Sequence, residues 1–232
     1  MRVQPIFQVA TIAIVCAIAL GSAQPSSAGD WRSRRTTSNA TTAAPASNVV
    51  IAGSGPNGGR GIHAGGTVGD GNGGAIHYSG GAWSGPRGTA VRGSYTHLQS
   101  NGGIEHQGGH SIQGANGGYD NGHNSYTHNP DGSSQGSWQN NGNGPTGSIN
   151  SQGNFSRSSS GTLTGSSQTT ASGARGSYNG STNAANGTTT HDSDITGANG
   201  DTYQGQTSYT KGEGYTHSGT CENAQGNVIQ CN

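Results

Sequence analysis

The chain has 232 residues, of which 45 are glycine, only 27% are hydrophobic and 9% are charged, and ten basic residues balance ten acidic ones. Leu, Ile, Val and Phe number only 16 past residue 28, which excludes a conventional apolar core. Neutrality, with Arg32, Arg34 and Arg35 as the one basic cluster, excludes a nucleic-acid binder that works by charge.

Residues 1–28 carry one early basic residue, Arg2, an apolar run over 9–20, and small residues at Gly21-Ser22-Ala23 and again at Ser26-Ser27-Ala28. This three-part pattern predicts a secretory signal peptide cut after Ala23 or Ala28, too short for a membrane span. Val15 before Cys16 is too large for a lipoprotein cleavage site. Residues 29–54, rich in Ser, Thr, Ala and Asn without periodicity, predict a flexible spacer. No later apolar run is long enough for a helix that crosses a membrane, so no span is expected in the mature chain.

From 55 to 232 a glycine punctuation recurs about every 13 to 16 residues, which reads as a repeat array. Turn-like tetrads include Gly55-Pro56-Asn57-Gly58, Gly85-Pro86-Arg87-Gly88, Gly114-Ala115-Asn116-Gly117, Asn129-Pro130-Asp131-Gly132, Gly173-Ala174-Arg175-Gly176 and Gly197-Ala198-Asn199-Gly200, with Ala224-Gln225-Gly226 last. Gly58, Gly88, Gly117, Gly132, Gly176, Gly200 and Gly226 are the expected structural turn residues, with Pro56-Asn57-Gly58 and Pro130-Asp131-Gly132 suited to three-residue hairpin loops and Gly117 and Gly132 expected at positive φ. Each arm tends to carry a β-branched or aromatic residue early and another late, as Ile149 and Phe155 or Tyr203 and Tyr209 do. A glycine recurs between them, among others at Gly65, Gly80, Gly153, Gly180 and Gly205, and could mark a bend, a bulge or a close backbone approach. The expected fold is all-β: a repetitive antiparallel meander, or a β-solenoid of the same short arms, with a largely disordered chain as runner-up.

All nine histidines fall in the array; three sit in Tyr-Thr-His, ending at His97, His128 and His217, and two in Ile-His, at His63 and His77. Strand alternation suggests a solvent-facing stripe opposite the apolar and tyrosine neighbours. His106 and His110, with Glu105 and Asp120 nearby, form the closest set of metal-ligand types, but no Cys-rich or His-Glu-x-x-His signature accompanies them, so no metal or cofactor is expected. No serine sits in Gly-x-Ser-x-Gly, and the acidic residues lie in polar sequence that gives no reason for a raised pKa; no catalytic residue is expected. Cys221 and Cys231 are the only cysteines after the signal segment, and export predicts that they form a disulfide across the last hairpin.

The Gly-Pro/Ala-Asn/Arg-Gly turns, the Ser-Tyr-Thr arms and the closing Thr220-to-Cys231 segment resemble exported glycine-, asparagine- and serine-rich repeat proteins of Gram-negative bacteria. A further resemblance, through Gly, Asn, Gln and Ser abundance and hairpin-like repeats, is to curli-type fibre subunits. These resemblances imply a secreted or outer-surface location, or a periplasmic one if export stops there. The expected function is non-enzymatic: a structural repeat protein of extracellular matrix, fibre or adhesion that self-associates through sheet edges. The alternative is a module that meets a polysaccharide or ice through a Tyr-, Trp- and Thr-bearing face.

Overall fold

The computed structural model describes residues 47–55 and 57–231. The predicted signal peptide and most of the predicted spacer lie outside the described residues. Fourteen strands follow one another: β1 (Ser47–Ser54), β2 (Arg60–Gly69), β3 (Ala75–Gly85), β4 (Gly88–Leu98), β5 (Ile104–Gly114), β6 (Tyr119–His128), β7 (Ser134–Gly144), β8 (Gly147–Arg157), β9 (Leu163–Gly173), β10 (Gly176–Ala185), β11 (Thr188–Gly197), β12 (Thr202–Thr210), β13 (Gly214–Glu222) and β14 (Val228–Ile229). The described residues fall into two compact units divided after Pro130. In each, every strand pairs antiparallel with the next in sequence, β1 to β6 in the first unit and β7 to β14 in the second.

The protein is therefore an all-β antiparallel meander. The solenoid and disordered alternatives fall, because consecutive antiparallel hairpins leave no parallel rungs to stack. The sheet also begins earlier than expected: β1 occupies the last eight residues of the predicted spacer and pairs with β2 from Ser47↔Thr67 to Ser54↔Arg60. Short β-branched runs such as Val49-Val50-Ile51 are enough to extend the sheet where a partner strand is already laid down.

The mid-arm glycines mark neither bends nor bulges. Register runs unbroken through Gly80↔Gly93 and Gly205↔Gly219. Several instead lie under an aromatic ring. A Cβ at Gly153 would strike the Trp138 ring, and one at Gly180 or Gly205 would strike the hydroxyl of Tyr178 or Tyr203, each two residues earlier on the same strand. Ala82, 4% exposed, is the one buried apolar residue among those described. Order thus rests on the backbone ladders and on side chains packed along the sheet surface rather than on a second layer.

The seven expected turn glycines all have positive φ, from 74° at Gly58 to 130° at Gly88. The tetrads that look alike in sequence nonetheless make two kinds of turn. Around Ala115-Asn116-Gly117 the Gly114 amide donates to the Gly118 carbonyl (2.6 Å) and the Gly117 amide to the Gly114 carbonyl (3.1 Å). That pattern is a three-residue loop closed by a left-handed glycine. It recurs over 55–59, 99–103, 158–162, 197–201 and 223–227. At 85–88, 144–147 and 173–176 the flanking glycines instead pair directly, leaving two-residue loops. Among the tetrads that begin and end in glycine, the third residue separates them. Asn116 and Asn199 turn their side-chain oxygens onto the amides of Gly118 (3.3 Å) and Asp201 (3.1 Å), whereas Arg87, Thr146 and Arg175 have no side-chain carbonyl to offer there.

Candidate binding faces

Residues opposed across antiparallel strands project from the same face, so the register sorts every side chain. In β7–β13 the sorting is nearly complete. One face carries Gln135, Ser137, Gln139, Asn141 and Asn143 on β7 and continues in the same style to Thr216, Ser218, Thr220 and Glu222 on β13. Every position on it is Ser, Thr, Asn, Gln, Asp or Glu, except Ala185 and Gly214. The other face carries the large side chains: Trp138, Ile149, Phe155, Leu163, Tyr178, Ile195, Tyr203, Tyr209 and Tyr215, interleaved with Gly, Ala, Ser, Thr and His and with Asn140, Arg157 and Cys221. Tyr209 and Tyr215, directly opposed, hold their rings 4.8 Å apart.

The histidines of this unit lie on the apolar face and are tied into it. Thr182 Oγ1 and His191 Nδ1 are 2.8 Å apart, and Thr207 Oγ1 and His217 Nδ1 are 2.9 Å apart. The remaining ring nitrogen of His191 meets Ser193 Oγ (3.0 Å) and Tyr178 Oη (3.3 Å), and that of His217 meets Tyr203 Oη (3.2 Å). The same threonine-to-histidine rung occurs in the first unit, at Thr67–His77 (3.0 Å) and Thr96–His106 (2.8 Å). The expected stripe opposite the tyrosines is corrected here: in each Tyr-Thr-His the histidine is two residues from the tyrosine and so shares its face, and of these three imidazoles that of His217 is a rung of the threonine-to-histidine kind.

The first unit, β1–β6, is not sorted in this way, and apolar side chains stand on both faces. One face bears a shallow depression of about 350 Å³ lined by Trp83, Arg92, His63, His110 and Ile112, among others. Register explains the grouping: His63, Gly81, Arg92 and His110 form one row across β2–β5, and Trp83, Ala90, Ile112 and Asp120 form the next. The indole of Trp83 lies along Gly59, Gly61 and Gly85, where an added Cβ would come within 3.3, 3.8 and 2.7 Å of it, and the side chain stays 37% exposed. Arg92 is exposed, and His110 Nε2 lies 3.1 Å from Asp120 Oδ2.

His106 and His110 do share a face of β5, two pleats apart, but their partners differ. His106 is held by Thr96 and His110 by Asp120, while Glu105 projects from the opposite face and accepts from Tyr95 Oη (2.6 Å). That bond, after the larger effect of desolvation, raises the Tyr95 pKa. No group of three metal-ligating side chains converges among the described residues.

A second pin joins elements distant in sequence. Asp70, in the loop after β2, accepts from the amides of Asn72 and Gly74 (both 2.8 Å) and meets His97 Nε2 at the end of β4 (2.9 Å). The His97 bond first, and the two amides next, lower the Asp70 pKa to about 2. The predicted cysteine pair is a disulfide, Cys221–Cys231, with Cα atoms 5.4 Å apart. No helix among the described residues is long and apolar enough to cross a membrane. No family model, curated protein or solved structure matches the chain.

Proposed function

We propose that this chain is a non-enzymatic structural repeat protein, secreted or displayed at the cell surface, whose meander grows by edge pairing with further copies into matrix or fibre. The observation that carries the reading is the open edge on each unit. Among the described residues, β1 pairs on one side only, and β14 covers only Cys221 and Glu222 of β13, leaving the outer backbone of β13 unpaired from Gly214 to Thr220. Unpaired amides and carbonyls in an extended strand are a template for another strand. Electron microscopy and fibre diffraction of the purified chain should show filaments with a strand repeat of about 4.8 Å, and Val50→Lys with Thr216→Lys, which place charge on the two edges, should prevent them. A wild-type chain that forms no filament at any concentration would overturn the reading.

The Trp83 depression favours a second reading, carbohydrate binding. An exposed indole on a bed of glycines offers a flat ring for a sugar to stack on, and Arg92 beside it suits an acidic sugar. Retention on polygalacturonate that Trp83→Ala leaves unchanged would remove this reading.

A further inference from the structure

We propose that the apolar face of β7–β13 is an interface, and that its occupant is the same face of a second copy of this chain, packed across a two-fold axis. The inference rests on the structural reading above but concerns a different surface, since edge pairing lengthens a sheet and leaves both of its faces bare.

Three observations point to this face and this partner. The first is composition. Ile149, Leu163, Ile195, Tyr209, Tyr215 and Ile229 all project from it, each at least 38% exposed. Arg157, at the end of β8, is its one charged residue. The opposite face carries Asp192, Asp194 and Glu222 among Ser, Thr, Asn and Gln, interrupted only by Ala185 and Gly214 and, on β14, by Val228.

The second is polar satisfaction. Burying a polar group costs free energy unless it keeps a hydrogen bond. Most of the polar groups in the middle of the apolar face have partners within it: both nitrogens of His191 and of His217, and Ser151 with Thr169 (2.9 Å), whereas the amide of Asn140, in the same row as Ser151, stays exposed. Tyr178 and Tyr203 also lie over Gly180 and Gly205, filling the shallow row between the larger residues and levelling the surface. A level face with one charge at its border and most of its polar atoms paired can leave water at lower cost than the amide-rich face, which would have to surrender its hydration.

The third is area. Seven strands about 4.8 Å apart and about 33 Å long present a face of roughly 1,000 Å², against about 800 Å² per partner in an interface of standard size. A two-fold axis sets like against like, so one largely apolar surface, charged only at Arg157 on its border, serves both sides. Two sheets stacked in this way sit about 10 Å apart, and they supply the second layer that β7–β13, with no buried apolar residue among those described, lack.

The test uses neighbouring residues of β11, an interior strand of its unit, so that no edge is altered. Ile195 projects from the apolar face and Thr196 from the polar one. Sedimentation equilibrium of the full chain carrying the edge lysines Val50→Lys and Thr216→Lys, which suppress filaments, should give a dimer. Ile195→Lys in that background should weaken association at least 100-fold, while Thr196→Lys should leave it within twofold. Circular dichroism of both variants checks that the sheet persists. Independently, with Trp31 and Trp83 replaced by Phe, the emission of Trp138 should shift to the red as the dimer dissociates on dilution. A monomeric mass at every concentration, or equal effects of the two lysines, would overturn the proposal. Filaments formed by the wild-type chain alongside such a result would leave edge growth standing and remove only the stacked face.

Discussion

Asp70 shows how much a single side chain can organise in a chain with so little core. It closes its own loop through the amides of Asn72 and Gly74, then reaches His97 on a strand that enters the sheet two hairpins later. Its carboxyl titrates at about 2 instead of 3.8, so the folded state holds the charged form more firmly than the unfolded chain does. The sign follows from linkage: the stabilisation is complete above about pH 4 and is lost as pH falls towards about 2. Hydrogen exchange across β2–β4 should therefore show the wild type better protected than Asp70→Asn at pH 5, with the difference gone near pH 2. A gap of constant size over that range would disconnect the carboxylate from the sheet. Nothing in the sequence marked this pair, because Asp70 and His97 lie in separate arms and each is an ordinary polar residue of its segment.

At the scale of elements, the turns were legible and the faces were not. Glycine spacing located the hairpins because a left-handed residue is needed where each loop closes, and glycine takes that conformation without strain. The finer division into two- and three-residue loops was also present, in the third residue of each Gly-x-x-Gly tetrad, but it depends on whether a side-chain carbonyl can bond an amide two residues on. This gives unequal costs. Gly117 has φ 84° with open space about it, so alanine there should cost about 1 kcal/mol from backbone strain alone. At Gly176, with φ 125°, a Cβ would also run into the Thr196 carbonyl of the paired strand, and alanine should cost roughly 2 kcal/mol or more. Denaturant midpoints measured beside Ser181→Ala as a surface control check the order. The two faces of β7–β13 escaped notice for a different reason. Their period of two is kept at nearly every position, but glycine, alanine and threonine fill many positions on the apolar side, so an inventory of large apolar residues samples the pattern too sparsely to show it. The exchange of Gln, Asn and Ser with Gly, Trp and Phe at alternate positions of Ser134–Gly144 and Gly147–Arg157 is the signal that could have revealed it.

For the whole molecule, glycine spacing and β-branched residues were enough to give an all-β repeat, and hairpin chemistry favoured the meander. The first strand was hidden in sequence that resembles a linker, because a β-strand at the margin of a sheet needs only a partner and a few extended residues. The Trp83 depression was hidden because it is assembled from four strands, and a row such as His63, Gly81, Arg92 and His110 exists only in the register. The consecutive order of the strands has a mechanical consequence. When either unit is drawn out from its two ends, the load reaches one outer strand at a time and pulls its hydrogen bonds open in succession, along their own direction, rather than shearing them all together. Strands then peel away singly, each arm of about 13 residues yielding roughly 45 Å of slack chain, while the loop bridged by Cys221 and Cys231 yields none. Material built from such sheets would stretch far under small forces and stop short of breaking its covalent end.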